Sequence, residues 1–559
     1  MLEVALERRI RFWLIFCIAA LTLVVNPWNY FDPINLPKLF VLAVSAFSIF
    51  GSLIPAFRRV LSSELRSLVY GAIGFVVILF LVLFTSSSSK WGQIYGDYGR
   101  NTGLLAYFSL ALLLLSAVFV SNRSFVERLM WALIVTGIAN AVYGIFQWAK
   151  MDPIEWNNPY NPIVGTLGNP NFASAYLGIA SIASLALTLA LNQKLLVRSA
   201  LVSNIGLSLF VILKSDSSQG LLIFGLGSVV IFYFRFLASI KLVALKIAYL
   251  GAAFVGVILG IFGLLNKGPL AAYMYQVSVT YRGDYWRAGW KMTLENPLLG
   301  VGLDSYGSWY RFYRNEAAAL RRGPDVTSNS AHNVFLDISS NGGFLLLLAY
   351  IVILGLIVRS GWRILRKISR YDAIGIALVT SWLAYLVQSI FSINQLGLAV
   401  WGWVMGGAII GYDLYKDRPD SKITKRVKPI HHEQVSASSV ITGTAGLVLG
   451  VALAIWPSYK DINFKSALQG GNPDNIEKIT QSFPKLNYYN VYASGVFLES
   501  EGFEEAALRM TRSAIENNPR DFNSWKILLQ NPKISETERA EAIAHMKALD
   551  PFNNTLDKP

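Results

Sequence analysis

Long apolar blocks separated by short polar breaks run through most of the chain. Crossing a hydrocarbon core takes about 20 apolar residues, somewhat fewer at minimum. Blocks of that kind fall near 11–26, 37–55, 68–85, 103–121, 128–148, 171–192, 199–213, 219–234, 247–265, 343–358, 373–392, 397–412 and 438–456. They predict an all-α fold, a polytopic transmembrane helical bundle of about 11–13 spans with thirteen the preferred count. The breaks around Lys214–Ser218 and Ile393–Gly397 are so short that the boundaries there are soft. The first block follows Arg8, Arg9 and Arg11, as a signal peptide would. It lacks a small-residue cleavage site and other spans follow at once, so it reads as an uncleaved first span.

The polar breaks are of two kinds. Alternate ones carry Arg58, Arg59 and Arg66; Arg123 and Arg128; Lys194 and Arg198; Arg235, Lys241 and Lys246. The later ones carry Arg359, Arg363, Arg366, Lys367 and Arg370, then Lys416, Arg418, Lys422, Lys425, Arg426 and Lys428. The short breaks between them hold only scattered basic residues. Basic loops stay in the cytoplasm, which makes the N-terminus cytoplasmic. Trp91–Asn101, Ala149–Asn169, the large loop Asn266–His332 and everything after Trp456 then face outward. The expected organisation is a membrane domain over 1–456, containing the loop 266–332, and an extracytoplasmic helical domain over 457–559.

Composition agrees with the pattern. The 54% of apolar residues against 15% charged suits lipid, and 15 Trp and 26 Tyr suit two membrane interfaces. The net charge of +15 does not point to nucleic acid, because the basic excess lies in short loops and the tail is close to neutral. The single cysteine, Cys17, excludes an internal disulfide and a Cys-based metal cage.

The tail carries a tetratricopeptide-like pattern. Reading back from Pro519, the repeat of about 34 residues places Ala514, Ala507 and Gly495 at small-residue positions and Leu498 at a large one. Ala544–Pro551 looks like the end of a further, degenerate repeat. So short an array needs a neighbour to bury its core, either the membrane domain or a protein partner. A plain helical hairpin is the alternative.

Ionisable groups deep in a span are costly and usually functional, and here the spans are nearly free of them, with Asp337 just inside one helix start. A proton-coupled transporter would bury carboxylates or histidines at mid-membrane. The polar residues gather instead at the outward helix ends and in the large loop. That loop reads TYRGDYWRAGWKMTLENPLLGVGL from Thr280 to Leu303, then supplies Tyr306, Tyr310, Arg311 and Arg314. Guanidinium groups bind phosphate bidentately, and Arg282, Arg287, Arg311 and Arg314 form a candidate diphosphate cradle. Lipid headgroup contact or solvation of the loop is the other reading, and for Arg311 and Arg314 the two weigh evenly. Of four histidines, His431 and His432 fall in a basic loop and His545 in the tail. That leaves His332 alone at the outer face. It is either a satisfied polar residue or a general base taking a proton from a hydroxyl.

Four segments in series resemble the O-antigen ligase and O-antigen polymerase superfamily, which includes bacterial O-linked oligosaccharyltransferases. They are Tyr95–Tyr107 (YGDYGRNTGLLAY), Gly165–Leu177 (GTLGNPNFASAYL), Arg282–Leu303 with its NPLLGVGL ending, and His332-Asn333. The likeness runs over about residues 10–415. It implies a GT-C-like bundle and an inverting, metal-independent glycosyltransferase of the bacterial cytoplasmic membrane. Such an enzyme moves a glycan from a polyprenyl pyrophosphate to a lipid-, glycan- or protein-borne hydroxyl. On this likeness His332 would activate the acceptor and Arg282 would hold the pyrophosphate, with Asn333 among the substrate contacts and no cofactor. One departure stands out. Relatives often carry Ser-Arg-Gly where this chain has Ser218-Gln219-Gly220. Gln219 cannot neutralise phosphate, which leaves Lys214 or Arg100 to compensate. Asn169, with Pro170 and Asn171, either caps the next helix or binds sugar. A lipid-linked glycan transporter and a non-catalytic scaffold built around the tail are the readings from other classes.

Overall fold

Each of the thirteen apolar blocks forms a helix in the computed structural model, which describes residues 4–60, 63–156, 161–367, 371–415 and 435–557. The order begins α1 (Val4–Leu23), α2 (Asn35–Val60), α3 (Ser63–Thr85), the short α4 (Lys90–Tyr95), α5 (Leu104–Val120) and α6 (Arg123–Trp148). It continues with α7 (Pro170–Thr188), α8 (Leu195–Lys214), α9 (Gln219–Phe232) and α10 (Val243–Leu264). The large loop is itself helical, folding into α11 (Ala271–Met274), α12 (Val277–Glu295), α13 (Tyr306–Tyr313) and α14 (Glu316–Arg322). Then come α15 (Val334–Arg366), α16 (Ala373–Phe391), α17 (Leu396–Tyr415) and α18 (Ala437–Gly470). The basic residues Arg370, Lys416, Arg418, Lys422, Lys425, Arg426 and Lys428 lie outside the described residues. So do His431, His432 and the side chains of Arg58 and Arg59.

Among the described residues 11 helices are long and apolar enough to cross a membrane. The other two of the thirteen are α5, an apolar helix of only 17 residues, and α1, whose first half carries Glu7, Arg8, Arg9 and Arg11. Helix α17 is the hub and α10 the periphery, 94% and 11% buried respectively, so α10 offers its apolar surface to lipid. Small residues let the hub helices touch. A Cβ added at Gly407 or Gly411 of α17 would lie 2.2 and 2.4 Å from carbonyl oxygens of Leu114 and Val118 on α5, the close approach that small-xxx-small spacing permits in lipid.

The two ends of the bundle differ. At one, Arg123 pairs with Asp372 at 3.1 Å and Arg363 with Asp413 at 3.2 Å, and this is the basic face. At the other, the loop face, all the segments expected to face outward meet. Asn35 donates to the Gly99 carbonyl, Thr166 to that of Thr22 and Ser217 to Asn171.

Helix α15 is broken near its start. Gly343 has φ 69° and ψ −175°, which no helix accommodates. The break leaves carbonyls without intrahelical donors, and the Asn-Pro-Leu-Leu-Gly-Val-Gly-Leu stretch fills the gap. Val301 N–H donates to the Ser340 carbonyl at 2.9 Å, Gly302 to Asn341 at 3.0 Å, and Phe344 to Pro297 at 2.7 Å. A Cβ at Gly343 would sit 2.2 Å from the Leu298 oxygen, so the glycine is required by both conformation and contact. Gly343→Ala is expected to destabilise by at least about 2 kcal/mol, read as a lowered melting temperature in detergent. An unchanged melt would show that the break relaxes without strain.

The chain after Trp456 does not start a separate element, because α18 runs unbroken through that residue to Gly470. Five helices follow: α19 (Pro473–Gln481), α20 (Asn487–Leu498), α21 (Glu504–Asn517), α22 (Phe522–Gln530) and α23 (Glu536–Leu549). Helices α20 and α21 close together over Ala493, Ser494, Ala507 and Ala514, each fully buried. These helices sit on the loop face. Tyr488 stacks on Tyr98 at 3.6 Å, and the Asp461 carboxylate accepts the Phe31 and Asp32 N–H groups and the Tyr489 hydroxyl.

The strongest tie is ionic. Arg314 Nη2 lies 2.6 Å and Arg311 Nη1 3.0 Å from Asp550 Oδ2, and both Arg314 and Asp550 are fully buried. The remaining donors go to the carbonyls of Pro324, Asp325 and Val326. Removing one partner of a buried ion pair strands the other, at about 3–5 kcal/mol. Asp550→Ala is therefore expected to loosen α22 and α23 from the loop face, with faster amide exchange in both helices. Exchange identical to wild type would mean that apolar contacts alone hold the dock.

Candidate functional site on the loop face

The turn before α15 is built backwards from a carboxylate. Asp337 accepts the Ala331 N–H at 2.8 Å and the Ser330 hydroxyl at 3.1 Å, and Ser330 Oγ accepts the His332 N–H at 2.8 Å. Asn333 caps the helix, its side chain accepting from Phe335 and Leu336 N–H at 3.0 and 3.1 Å. With its flanks tied down, His332 is held at φ +52°, in the left-handed region that few non-glycine residues occupy. A strained backbone persists only where its surroundings over-determine it, often at a working site. The imidazole stacks on Tyr285 of α12 with centroids 5.4 Å apart.

A second carboxylate locks the neighbouring loop. Asp304 accepts the Asp97 N–H at 2.8 Å and both the N–H and hydroxyl of Thr102, at 3.1 and 2.9 Å. Arg100 lies 3.1 Å from Asp304 and 3.8 Å from Asp337, and donates to the Asn329 carbonyl. One buried guanidinium thus ties the Tyr95–Tyr107 segment to the turn that carries the histidine.

The electrostatics of His332 follow from its neighbours. Burial comes first, then the charges of Arg282, Arg100 and Arg322, and together they push its pKa down to about 3. The imidazole is therefore neutral at physiological pH. Among these cations Arg100 has its carboxylates. Arg282 and Arg322 have none within ion-pair distance among the described residues; Arg322 lies 4.3 Å over the Tyr281 ring and donates to the Tyr285 hydroxyl. Burial also lowers the Arg282 pKa. Two guanidiniums with no carboxylate partner among the described residues, close to a neutral imidazole, are an arrangement able to hold an anion next to a base.

The other sequence candidates lie elsewhere. Arg311 and Arg314 spend their donors on Asp550 and the 324–326 carbonyls, so they join the tail to the loop face. Arg287 is 69% exposed beside Asp284, at 3.6 Å. Asn169 caps α7, accepting from Asn171 N–H at 2.9 Å. Lys214 sits at the end of α8 over the Trp148 and Phe210 rings, 5.5 and 5.8 Å from their centroids. Gln219 opens α9 with its Oε1 buried and unpartnered. Sequence reasoning missed Arg322 and Tyr285. The signal for Arg322 was an Arg-Arg pair before Gly323-Pro324, outside every quoted motif.

A family model described as O-antigen ligase matches residues 203–351. That stretch runs from α8 into the broken α15 and contains Arg282, Arg322 and His332. It is narrower than the 10–415 stretch over which the sequence motifs run, and it stops short of the tail. No curated protein matches the chain at a significant level. The fold is that of a multi-pass membrane protein, and the match supports, at a general level, a glycosyltransferase-like protein of ligase/polymerase type. The particular likeness is to the O-antigen ligases.

Proposed function

We propose that this protein transfers a glycan from a polyprenyl pyrophosphate carrier to an acceptor hydroxyl at the outer face of the bacterial cytoplasmic membrane. The observation that carries the reading is the neutral His332 imidazole within the electrostatic reach of Arg282 and Arg322, two guanidiniums with no carboxylate partner among the described residues. The acceptor O–H gives its proton to His332 as its oxygen attacks the anomeric carbon. The bond from that carbon to the pyrophosphate oxygen breaks on the opposite side, which inverts the centre. The leaving diphosphate takes the electron pair, and Arg282 and Arg322 hold the charge it gains. A diphosphate already leaves well, so positioning and fixed positive charge supply most of the acceleration. On the likeness to the O-antigen ligases the step is taken as metal-independent. Arg322 takes the place left by Gln219 in the cradle. The tail is a tetratricopeptide-like domain seated on this same outer face.

The test is reconstitution in liposomes with a polyprenyl-pyrophosphate glycan and candidate lipid, glycan and protein acceptors. The expected product is a glycan bound to an acceptor oxygen with inverted configuration and free polyprenyl pyrophosphate. Intact donor with every acceptor, or donor carried unaltered across the bilayer, refutes the reading and favours a transporter.

A further inference from the structure

Between the C-terminal helices and the loop face runs a cleft of about 970 Å³. Thr327, Ser328 and Asn329 form one side, Asn487, Asn518 and Asn523 the other. It continues into a second space of about 690 Å³ with which it shares Asp97, Ser308 and Asn518. His332 and Arg282 line neither, so the cleft is distinct from the site described above.

Its polar atoms are unusually short of partners. Arg520 Nε and Nη2 and Asn487 Oδ1 are buried without a hydrogen bond, where folded proteins satisfy nearly all such atoms. Neither side chain is free to turn away. The Arg520 guanidinium lies 3.3 Å over the Trp309 ring, and Asn487 Nδ2 is committed to Asp521 at 2.7 Å. Two donors and an acceptor on side chains that line the cleft are thus left without a protein partner.

We infer that this cleft binds the hydroxyl-rich chain of an oligosaccharide. Amide and hydroxyl side chains dominate the walls, and both donate and accept as sugar hydroxyls require. Tyr488, stacked on Tyr98 by one face, adds aromatic surface for the apolar face of a sugar ring. A helical segment would need an apolar groove and a strand a free sheet edge, and the cleft's polar walls offer neither. The floor leads to the base. Ser328 Oγ donates to the Ser330 carbonyl at 2.7 Å, two residues before His332, and Arg100 donates to the Asn329 carbonyl. A glycan lying here has one end beside the catalytic turn. The inference rests on the glycan-transfer reading for the source of that glycan, which is the donor's sugar chain or the acceptor's.

Two probes separate these sources in calorimetry on the purified full-length protein. One is the oligosaccharide released by mild acid from the polyprenyl-linked lipids of the host cell. The other is the lipid-free saccharide released from its finished surface polymer. At least one is expected to bind wild type and His332→Ala alike, and to bind at least about tenfold more weakly to Arg520→Gln and Asn523→Trp. The arm that binds identifies the chain. In wild type the same sugar is expected to slow amide exchange over 487–491 and 518–523, a readout independent of how the variants fold. Absence of binding by both probes, or protection confined to other segments, overturns the inference. Transfer in liposomes without sugar binding here refutes the cleft and leaves the reaction standing; binding without transfer does the reverse.

Discussion

His332→Ala is expected to lower the rate of glycan transfer by about 10²–10⁴, the usual contribution of a positioned general base. Donor binding is expected to persist, because the anion is held by guanidiniums and not by the imidazole. The pH dependence sharpens the test. In the free protein, burial and the cations around it hold the His332 pKa near 3, below its ordinary 6.5. The unliganded base therefore stays unprotonated until the pH falls far below neutral. A bound pyrophosphate brings negative charge among those cations, which favours the imidazolium and moves the pKa upward. Donor binding thus turns a weak base into a stronger one. The acid limb of kcat, which reports the bound state, is expected at higher pH than that of kcat/KM for the donor, which reports the free state. Wild-type turnover by His332→Ala removes the base assignment. Coincident acid limbs remove the coupling between donor charge and base strength.

Arg282→Ala is expected to reduce turnover by about 10²–10³, in line with losing a preorganised group aimed at developing charge. Stability is expected to hold or rise, since this guanidinium has no carboxylate to strand among the described residues and its burial is unfavourable. That separation distinguishes it from Arg314, whose loss would leave the buried Asp550 with Arg311 as its one remaining ion-pair partner among the described residues. Arg282→Lys keeps the charge but not the planar fork and is expected to recover only part of the rate. A readout independent of turnover comes from the histidine. Without the Arg282 charge the His332 pKa is expected to rise, observable in the imidazole carbon shifts of the detergent-solubilised protein. Wild-type rates in Arg282→Ala would leave Arg322 as the sole diphosphate ligand.

The misplaced candidates share one cause. Arg282, Arg311 and Arg314 are alike in the sequence, each an arginine among aromatics in the same loop. Their roles separate only through partners far along the chain, since Asp550 stands more than 200 residues from Arg311. The asparagines divide in the same way. Asn169 and Asn333 both cap a helix start, which needs only the next three residues; that half of the Asn169 reading was local and legible, while Asn333 was read only as a substrate contact. Arg100 joined the site as a neighbour of His332, but through Asp304 and Asp337, as a strut more than a ligand. Arg322 escaped notice because its closeness to His332 depends on how α12 and α14 fold back over the turn before α15.

Thirteen helix positions follow from the chain alone, and so does the choice of the His332 turn as a candidate, whereas the break at Gly343 came only with the structure. Apolar length, glycine and capping chemistry act over a few residues, and lipid leaves the backbone almost no other way to satisfy its hydrogen bonds. Which cations keep their charge free, where the tail docks, and that a cleft with unpartnered donors opens beneath it were decided only in three dimensions. Electrostatic partnership depends on distance through space, and sequence spacing carries almost none of that distance once helices pack.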